Sequence, residues 1–174
     1  GTSGNGKDAF INTILGEDLM DESSSKVVVF KDHESILIND ITDSEIRQVS
    51  DLPAFHELME RRRNTEGTFI DFKLPSPFLY DNGITIMDTP CINGNGNGGN
   101  PLFQYLHTAD SLLYVLSAGS PFTEKEHDIL IQLKEEAPNI PVHFILNNME
   151  QIANEKEAFQ VVDQTSSSIN YYFP

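Results

Sequence analysis

The first seven residues have the composition and spacing of a loop that binds phosphate. Gly1 and Gly6 are separated by four residues and Lys7 follows, so the chain begins G-x-x-x-x-G-K. Glycines let successive backbone N–H groups point toward phosphate oxygens, and a following helix adds the positive end of its dipole. The lysine of such a loop reaches the outer phosphates, and the next residue normally gives Mg²⁺ a hydroxyl group. Here that next residue is a carboxylate, Asp8.

Two interpretations of this glycine-rich start are open. A short run of small residues is also typical of an expression scar or a flexible linker. Against that, the residues after the lysine form an apolar stripe at helical spacing, namely Phe10, Ile11, Ile14 and Leu15. Gly16 follows as a natural end for the helix. The stripe favours a degenerate phosphate loop that opens a helix.

The elements that would position such a loop alternate between strands and helices. Strands are predicted over residues 26–30, 36–38, 67–74, 84–87, 111–117 and 142–146. Helices are predicted to begin at Thr42 and to cover 54–63, 101–108, 123–136 and 155–168. This order predicts an α/β fold with three layers and a mostly parallel sheet. One antiparallel pair is expected between 67–74 and 84–87, and 36–38 is expected to pair with 26–30.

Two further polar stretches follow predicted strands. Asp88 comes directly after the apolar run 84–87, and the tetrapeptide 147–150 follows the run 142–146. In α/β sheets ligands bind at the carboxyl ends of the strands. We therefore expect both stretches and the glycine-rich loop to converge on one face.

Composition limits the class of protein. The 174 residues, 39% of them hydrophobic, predict one domain over residues 1–174. A net charge of -16 repels nucleic acid and anionic lipid headgroups, so no nucleic acid partner is expected. The single cysteine excludes an internal disulfide, and no signal peptide or long apolar run is present in the sequence. We expect a cytoplasmic domain that lacks its first strand, the one leading into the loop, and its C-terminal portion.

In order and spacing, the motifs resemble those of GTP-binding domains of the dynamin superfamily, especially the bacterial dynamin-like proteins. Residues 6–16 are similar to that family's G-K-S-S-L-I-N-A-L-L-G, and residues 84–90 to its strand followed by D-T-P-G. Residues 109–118 are similar to its A-D-x-x-x-x-V-x-S-A stretch. The resemblance covers most of the chain and implies a P-loop GTPase fold.

The resemblance implies that the first loop holds the phosphates of GTP or GDP. The nucleotide-binding residues that it implies there are Gly1, Ser3, Gly4, Asn5, Gly6, Lys7, Asp8 and Ala9. Backbone N–H groups from the fourth to the eighth residue would contact phosphate oxygens, and the lysine would pair with the outer two phosphates.

Other roles implied by the resemblance fall later in the chain. Asp88 would reach Mg²⁺, with Asp8 as a second metal ligand, and the amide of Cys91 would bind the γ-phosphate. Ser24 or Ser25, or the serine before them, would supply the first switch hydroxyl. In the tetrapeptide, Asn147 would contact the base and brace the loop, Asn148 follows it, and Glu150 replaces the aspartate that accepts the guanine N–H groups. No catalytic side chain is identified.

The departures from the family pattern affect every motif that contacts nucleotide. Asp8 replaces a metal-binding hydroxyl, Cys91 replaces a glycine, and the tetrapeptide N-K-x-D is altered at Asn148 and Glu150. Ser3 stands where many dynamins have a catalytic glutamine, and Gly4 replaces a serine. We therefore expect Mg²⁺-dependent GTP binding with weak or impaired hydrolysis.

Three functional interpretations remain open. The resemblance implies part of a larger membrane-remodelling protein, peripheral to a membrane only through regions outside this chain. It also implies a homodimer or a paralogous partner joined through the nucleotide faces. The alternatives are a pseudo-GTPase that acts as a non-catalytic interaction module, and a P-loop hydrolase with altered base preference.

Structural interpretations of single residues also remain open. Asp88 at a strand end could simply be a turn residue. Cys91 fits a small loop residue better than a nucleophile, because no His and Asp partners are arranged to activate it. The Gly-Asn run at 93–100 fits a linker as well as a switch loop. The three arginines at 61–63 fit a solvated helix end better than a binding patch.

Overall fold

The computed structural model describes residues 4–21, 26–60, 69–90, 103 and 105–173. The chain divides into two compact units, and the described hydrophobic clusters fall one in each. The loop unit consists of Gly1–Lys7 together with Ile92–Pro174, and the sheet unit consists of Asp8–Cys91. The single domain predicted for residues 1–174 stays a prediction.

The sheet unit contains a five-stranded sheet. Its strands are β1 (Val27–Asp32), β2 (Leu37–Ile41), β3 (Ile46–Val49), β4 (Phe69–Leu74) and β5 (Ile86–Asp88). Their order in the sheet is β3-β2-β4-β1-β5. The helices are α1 (Lys7–Leu15, whose first residue belongs to the loop unit), α2 (Leu52–Glu60) and α3 (Pro77–Asn82).

Strand β1 lies inside this sheet and has a neighbour on each side. It pairs in parallel with β4 and antiparallel with β5. Its run of β-branched and aromatic residues suits a strand covered on both faces, and its first four residues are all buried. The parallel pairing needs a long connection, and the chain between β1 and β4 contains β2, β3 and α2.

Both predicted strand pairings are wrong. Strand β2 does not pair with β1, because β4 lies between them in the sheet. The hairpin predicted between 67–74 and 84–87 is absent as well, since β5 pairs with β1 while β4 lies on the other side of β1. Residue patterns identified these strands, but partners are set by packing across the sheet rather than by proximity along the chain.

The helix predicted to begin at Thr42 is wrong, because this segment is a hairpin turn. Strands β2 and β3 pair antiparallel up to Ile41 and Ile46. Between them, the Thr42 N–H donates to the Glu45 carbonyl at 2.9 Å, and the Glu45 N–H donates to Thr42 Oγ1 at 3.1 Å. Threonine and aspartate favour turns for the same reason that they favour helix starts, since their side chains bond nearby N–H groups.

Helix α2 confirms the second predicted helix and shifts its start. It begins at Leu52, and the N–H of Ala54 donates to Asp51 Oδ1 at 2.9 Å. Pro53 lies in the first turn, where its missing N–H costs nothing, so it does not interrupt a helix as predicted. Phe55, like Leu58 and Met59, is buried as its helical spacing predicts. The arginines at 61–63 lie outside the described residues.

Helix α3 was not predicted. Ser76 caps its start by accepting from the N–H of Leu79, Pro77 occupies the first turn, and Gly83 ends it with φ +59°. These residues were interpreted as the end of one strand and a turn before the next. The same serine, proline and glycine signals also delimit a short helix.

The described part of the loop unit contains two parallel strands and two longer helices. They are β6 (Leu112–Ser117), α4 (Glu124–Glu136), β7 (Val142–Asn147) and α5 (Glu155–Tyr172), with 3-10 turns at Leu106–Thr108 and Met149–Gln151. Strands β6 and β7 and the start of α4 agree with the sequence-based predictions, and α5 extends further than predicted. Of the helix predicted over 101–108, the described residues 103 and 105 are helical and Leu106–Thr108 form the short 3-10 turn. No helix in the described ranges is long and apolar enough to cross a membrane.

The α/β class is confirmed, but the predicted sheet type is wrong. Within the described strands, β1–β5, β2–β3 and β2–β4 are antiparallel, while β1–β4 and β6–β7 are parallel. The sheet is therefore mixed. A mixed sheet arises here because β2 and β3 form a local hairpin, whereas β4 returns through a long connection to lie between β2 and β1.

The aromatic centre of the sheet unit generates a test of its packing. The Phe72 ring is completely buried. Its centroid lies 5.0 Å from the ring centroid of Phe55 and 5.5 Å from that of Phe30. We expect Phe72→Ala to lower the free energy of unfolding by about 3–5 kcal/mol, because it leaves a cavity between two rings. Urea unfolding measures this. The control Phe78→Ala, at a ring that is 41% exposed, should cost less than about 1 kcal/mol; equal losses would contradict the packing.

Candidate functional site

The parallel strands of the loop unit end side by side. Ser117 and Asn147 are the last residue pair of β6 and β7, and the N–H of Ala118 donates to the Asn147 carbonyl at 2.8 Å. Asn148 follows with a left-handed backbone, φ +60°. This conformation is rare for residues other than glycine, and asparagine adopts it more readily than most. The strand end therefore turns sharply just where the predicted base-binding tetrapeptide begins.

The amides of this tetrapeptide hold the carbonyl groups of the N-terminal loop. Asn147 Nδ2 donates to the carbonyls of Asn5 at 3.1 Å and Gly6 at 3.3 Å. Asn148 Nδ2 donates to the Gly4 carbonyl at 3.4 Å and to Ser117 Oγ at 3.3 Å. The longer of these bonds are weak individually, but together they engage three successive carbonyls. A phosphate loop requires this, because carbonyl oxygens turned toward a phosphate would repel it.

The loop backbone has the conformation of an anion-binding concavity. Gly4 has φ +84° and Gly6 has φ +73°, and helix α1 begins at the next residue, Lys7. Alternating left-handed residues direct backbone N–H groups to a common point. At Gly6 a side chain would also have no room, because an added Cβ would collide with Asn147 Nδ2. The observed backbone therefore fits a phosphate group.

The side chain of Asn5 points into the unit and is 6% exposed. Its Nδ2 donates to the Val115 carbonyl of β6 at 2.9 Å and to Glu126 Oε1 of α4 at 2.7 Å. Both partners are acceptors, which fixes the orientation of the amide. Only the backbone of Asn5 is therefore available to a phosphate, as the prediction of N–H contacts requires.

Glu126 was missed as a residue of this site. The sequence predicts only a helix over 123–136, and in the structure Thr123 and Glu126 form a capping box at its start. The contact with Asn5 joins residues 121 positions apart in the chain. The available signal was the charge itself, since a glutamate within a buried helix start needs a partner.

Tyr114 of β6 has a pKa that its surroundings displace from the ordinary value of a phenol. Its hydroxyl is buried and has no hydrogen-bond partner within the described residues. Burial raises the pKa of the phenol well above its usual range, and the negative charge of Glu126 raises it further. Both effects disfavour the phenolate.

The remaining predicted residues are distributed over both units. Asp8, in the first turn of α1, and Asp88, at the end of β5, are buried and belong to the sheet unit. Ala9 is exposed, and Glu150 is exposed in a 3-10 turn of the loop unit. Residues outside the described ranges are Gly1, Ser3, Ser24, Ser25 and Cys91.

The structure therefore brings together part of the predicted site. Within the loop unit, the loop from Gly4 to Lys7 lies against Asn147 and Asn148. The convergence of Asp88 with these residues stays a prediction. In the described part of the chain, no group of three or more His, Cys, Asp or Glu side chains could hold a metal.

Comparisons with known proteins agree on the type of domain. The model of the dynamin family matches residues 1–149. No curated protein is significantly similar to the chain in sequence. Two solved structures belong to an oligomerised bacterial dynamin pair said to provide a mechanism for the long-range sensing and tethering of membranes.

The structural matches are distant in sequence and show the fold alone. The first bacterial dynamin is 18% identical with a TM-score of 0.72, over 99% of this chain and 28% of its own. The second is 14% identical with a TM-score of 0.67, over 98% of this chain and 27% of its own. Era from Aquifex aeolicus, bound to GDP and AlF4⁻, is 14% identical with a TM-score of 0.51, over 96% and 44%. The chain thus spans little more than a quarter of the bacterial dynamins.

The two loop glycines generate a matched test of the loop. We expect Gly4→Ala and Gly6→Ala each to cost about 1–2 kcal/mol of stability, because both have positive φ. Gly6→Ala should cost at least about 1 kcal/mol more, since it displaces Asn147 and its bonds to the loop, whereas a Cβ at Gly4 meets nothing within 4 Å. Urea unfolding of both variants measures the difference. Equal losses would show that Asn147 does not hold the loop.

The Tyr114 hydroxyl generates a prediction about alkaline pH. Because the folded state keeps the phenol protonated above the pH at which the unfolded chain releases its proton, stability should fall as pH rises above about 10. The variant Tyr114→Phe lacks this proton. The free energy of unfolding of Tyr114→Phe, relative to that of the wild type, should therefore increase by up to about 1.4 kcal/mol per pH unit above pH 10. Denaturant unfolding between pH 8 and pH 11 measures it, and a constant difference would contradict the shift.

Proposed function

We propose that this chain, which belongs to the dynamin family, binds GTP and GDP in a Mg²⁺-dependent way and hydrolyses GTP only weakly. The observation that carries the proposal is the set of bonds from the Asn147 and Asn148 amides to the loop carbonyls. These bonds couple the phosphate loop to the tetrapeptide that contacts the base in such domains. The fold shared with Era, which was solved with GDP and AlF4⁻, supports the same class of ligand.

The phosphates would be held mainly by the backbone. The positive φ values of Gly4 and Gly6 suit N–H groups that converge on an anion, and Lys7 at the start of α1 adds a positive charge to the helix dipole. Asn147 would contact the base while its amide braces the loop. The amide of Cys91 and a hydroxyl from Ser24 or Ser25 complete the proposed contacts.

Asp8 makes the binding depend on Mg²⁺. It follows Lys7 directly in the chain, so a bound phosphate meets a carboxylate as well as an ammonium group. A carboxylate about 4 Å from one phosphate charge costs on the order of 4 kcal/mol at an effective dielectric near 20. A bound Mg²⁺ would neutralise phosphate charge, and Asp8 and Asp88 are the carboxylates that would hold it, because this hard cation prefers charged oxygen ligands.

Base selectivity should be weaker than in relatives with an aspartate. Glu150 is exposed and lies in the 3-10 turn Met149–Gln151, and its side chain is one methylene longer. A bidentate contact with guanine therefore requires the backbone to withdraw. A P-loop hydrolase with altered base preference is the interpretation that this residue favours.

Hydrolysis should be impaired because the losses affect metal, γ-phosphate and base contacts together. In-line attack of water on the γ-phosphate depends on positioning and on stabilising charge rather than on a protein nucleophile. Asp8, Cys91 and Ser3 each replace a residue that serves one of these tasks in relatives. The rival function is a pseudo-GTPase, a module that keeps the fold for interaction or dimerisation without turnover.

The role of the full-length protein is also part of the proposal. The bacterial dynamins with the same fold are several times longer than this chain, and they are described as an oligomerised pair that senses and tethers membranes. We extend this to membrane remodelling by the full-length protein. Its partner would be a second copy or a paralogue, joined through the nucleotide faces.

A titration of the full-length protein with a fluorescent non-hydrolysable GTP analogue tests the proposal. We expect a micromolar dissociation constant in Mg²⁺ and at least about tenfold weaker binding in EDTA, because only Mg²⁺ offsets the Asp8 charge. The matched variant Asp8→Ser restores the usual hydroxyl. It should bind more tightly than the wild type in EDTA.

Other outcomes separate the alternatives. Equal affinity of the wild type in Mg²⁺ and EDTA would rule out the metal role of Asp8. Competition by ATP as strong as that by GTP would favour altered base preference. Absence of binding at millimolar nucleotide would leave the pseudo-GTPase.

A further inference from the structure

The buried carboxylate of Glu126 has two separate functions in the loop unit. The side chain lies in the first turn of α4 and is 1% exposed. Oε2 accepts hydrogen bonds from the N–H of Thr123 at 2.9 Å and from Thr123 Oγ1 at 3.0 Å. Oε1 accepts from Asn5 Nδ2 at 2.7 Å. One oxygen therefore caps the helix and the other holds the phosphate loop.

The capping box alone does not account for this burial. A capping glutamate only needs to reach back to the first residue of its helix, and glutamates are almost never fully buried unless paired. Removing a carboxylate from water is costly, so each of its oxygens requires good donors. The bond from Asn5 Nδ2 at 2.7 Å comes from the loop rather than from the helix, so it is a donor that the capping box does not supply.

Asn5 is held from three directions as a result. Its two amide protons go to Glu126 and to the Val115 carbonyl of β6, and its own carbonyl accepts from Asn147. A helix, a strand and the turn after a second strand thus fix one residue in the middle of the loop. Its backbone N–H then has a single direction before any ligand binds.

We propose that Glu126 is a positioning residue for nucleotide binding, acting on the phosphate loop through the side chain of Asn5. This inference rests on the proposed function. A loop that is already ordered loses less entropy when it binds phosphate, and preorganisation of this kind raises affinity without any new contact to the ligand. Glu126 does not touch the nucleotide.

Affinity measurements on matched variants test the inference. In the full-length protein with Mg²⁺ and the fluorescent GTP analogue, Glu126→Leu and Asn5→Ala should each raise the dissociation constant about tenfold. The double variant should bind no more weakly than Asn5→Ala alone, because Glu126 acts through the Asn5 side chain, which that variant already lacks. Additive losses would overturn the proposal.

Two controls separate positioning from helix capping. Thr123→Ala disturbs the capping box but leaves the Glu126–Asn5 bond, so it should lower stability and change the dissociation constant less than about twofold. The conservative Glu126→Gln keeps an acceptor for Asn5, so it should recover most of the affinity. Its NH2 group can donate to Thr123 Oγ1 but cannot accept from the Thr123 N–H, so the helix cap is weakened. An equal loss of affinity in Thr123→Ala and Glu126→Leu would show that Glu126 is only structural.

A readout without nucleotide keeps the inference distinct from the proposed function. In ¹⁵N NMR spectra, the Asn5 side-chain amide protons should exchange with solvent at least about tenfold faster in Glu126→Leu than in Thr123→Ala. If the wild type binds no nucleotide, this exchange alone decides whether Glu126 orders the loop, and unchanged exchange would overturn the inference. If Glu126→Leu fails to fold, Asn5→Ala and Glu126→Gln supply the comparison of affinities.

Discussion

The contacts of the loop unit depend on one constraint: the carbonyl oxygens of a phosphate loop must face away from the anion. Here the uncharged side-chain amides of Asn147 and Asn148 satisfy it, because they donate hydrogen bonds to three successive carbonyls of the loop. The left-handed turn at Asn148 and the absence of a side chain at Gly6 follow from the same need for close approach. The geometry of the loop therefore depends on hydrogen bonds between distant parts of the sequence, from the neutral amides of Asn147 and Asn148 and to the carboxylate of Glu126.

Shape and affinity can consequently diverge in this chain. The family pattern has a lysine where Asn148 stands and a hydroxyl where Asp8 stands, so both substitutions make the region more negative in a chain of net charge -16. An amide replaces the lysine as a donor to the loop but not as a positive charge. The fold can thus be kept while attraction for phosphate falls. Under the proposed function, Mg²⁺ rather than a protein cation supplies the missing positive charge.

Sequence patterns predicted the individual helices and strands but not which strands pair with each other. Strand β6, helix α4 and the buried face of α2 follow from apolar spacing and capping residues, which act within a few positions. The position of β4 between β1 and β2 does not, because three strands of similar composition can pair in several orders. In the site, the loop was predicted from its glycine and lysine spacing, and the tetrapeptide from its place after a buried strand and its resemblance to a family motif. Their hydrogen bonds to each other, and the contact of Glu126, cross more than a hundred positions.

The Thr-x-x-Glu pattern occurs twice in this chain and shows how far local sequence determines structure. Thr42 and Glu45 have the same spacing as Thr123 and Glu126, and in both pairs the N–H of the glutamate donates to the threonine hydroxyl. The first pair closes a hairpin because the residues after it pair with β2, and the second caps α4 because the residues after it repeat an apolar stripe at helical spacing. The glutamates then differ in environment, since the first is exposed and the second is buried against the phosphate loop. The Thr-x-x-Glu spacing therefore predicts the local hydrogen bonds that these two residues can form. It does not predict whether the glutamate becomes buried, and burial is what brings Glu126 into contact with the phosphate loop as well as with its own helix.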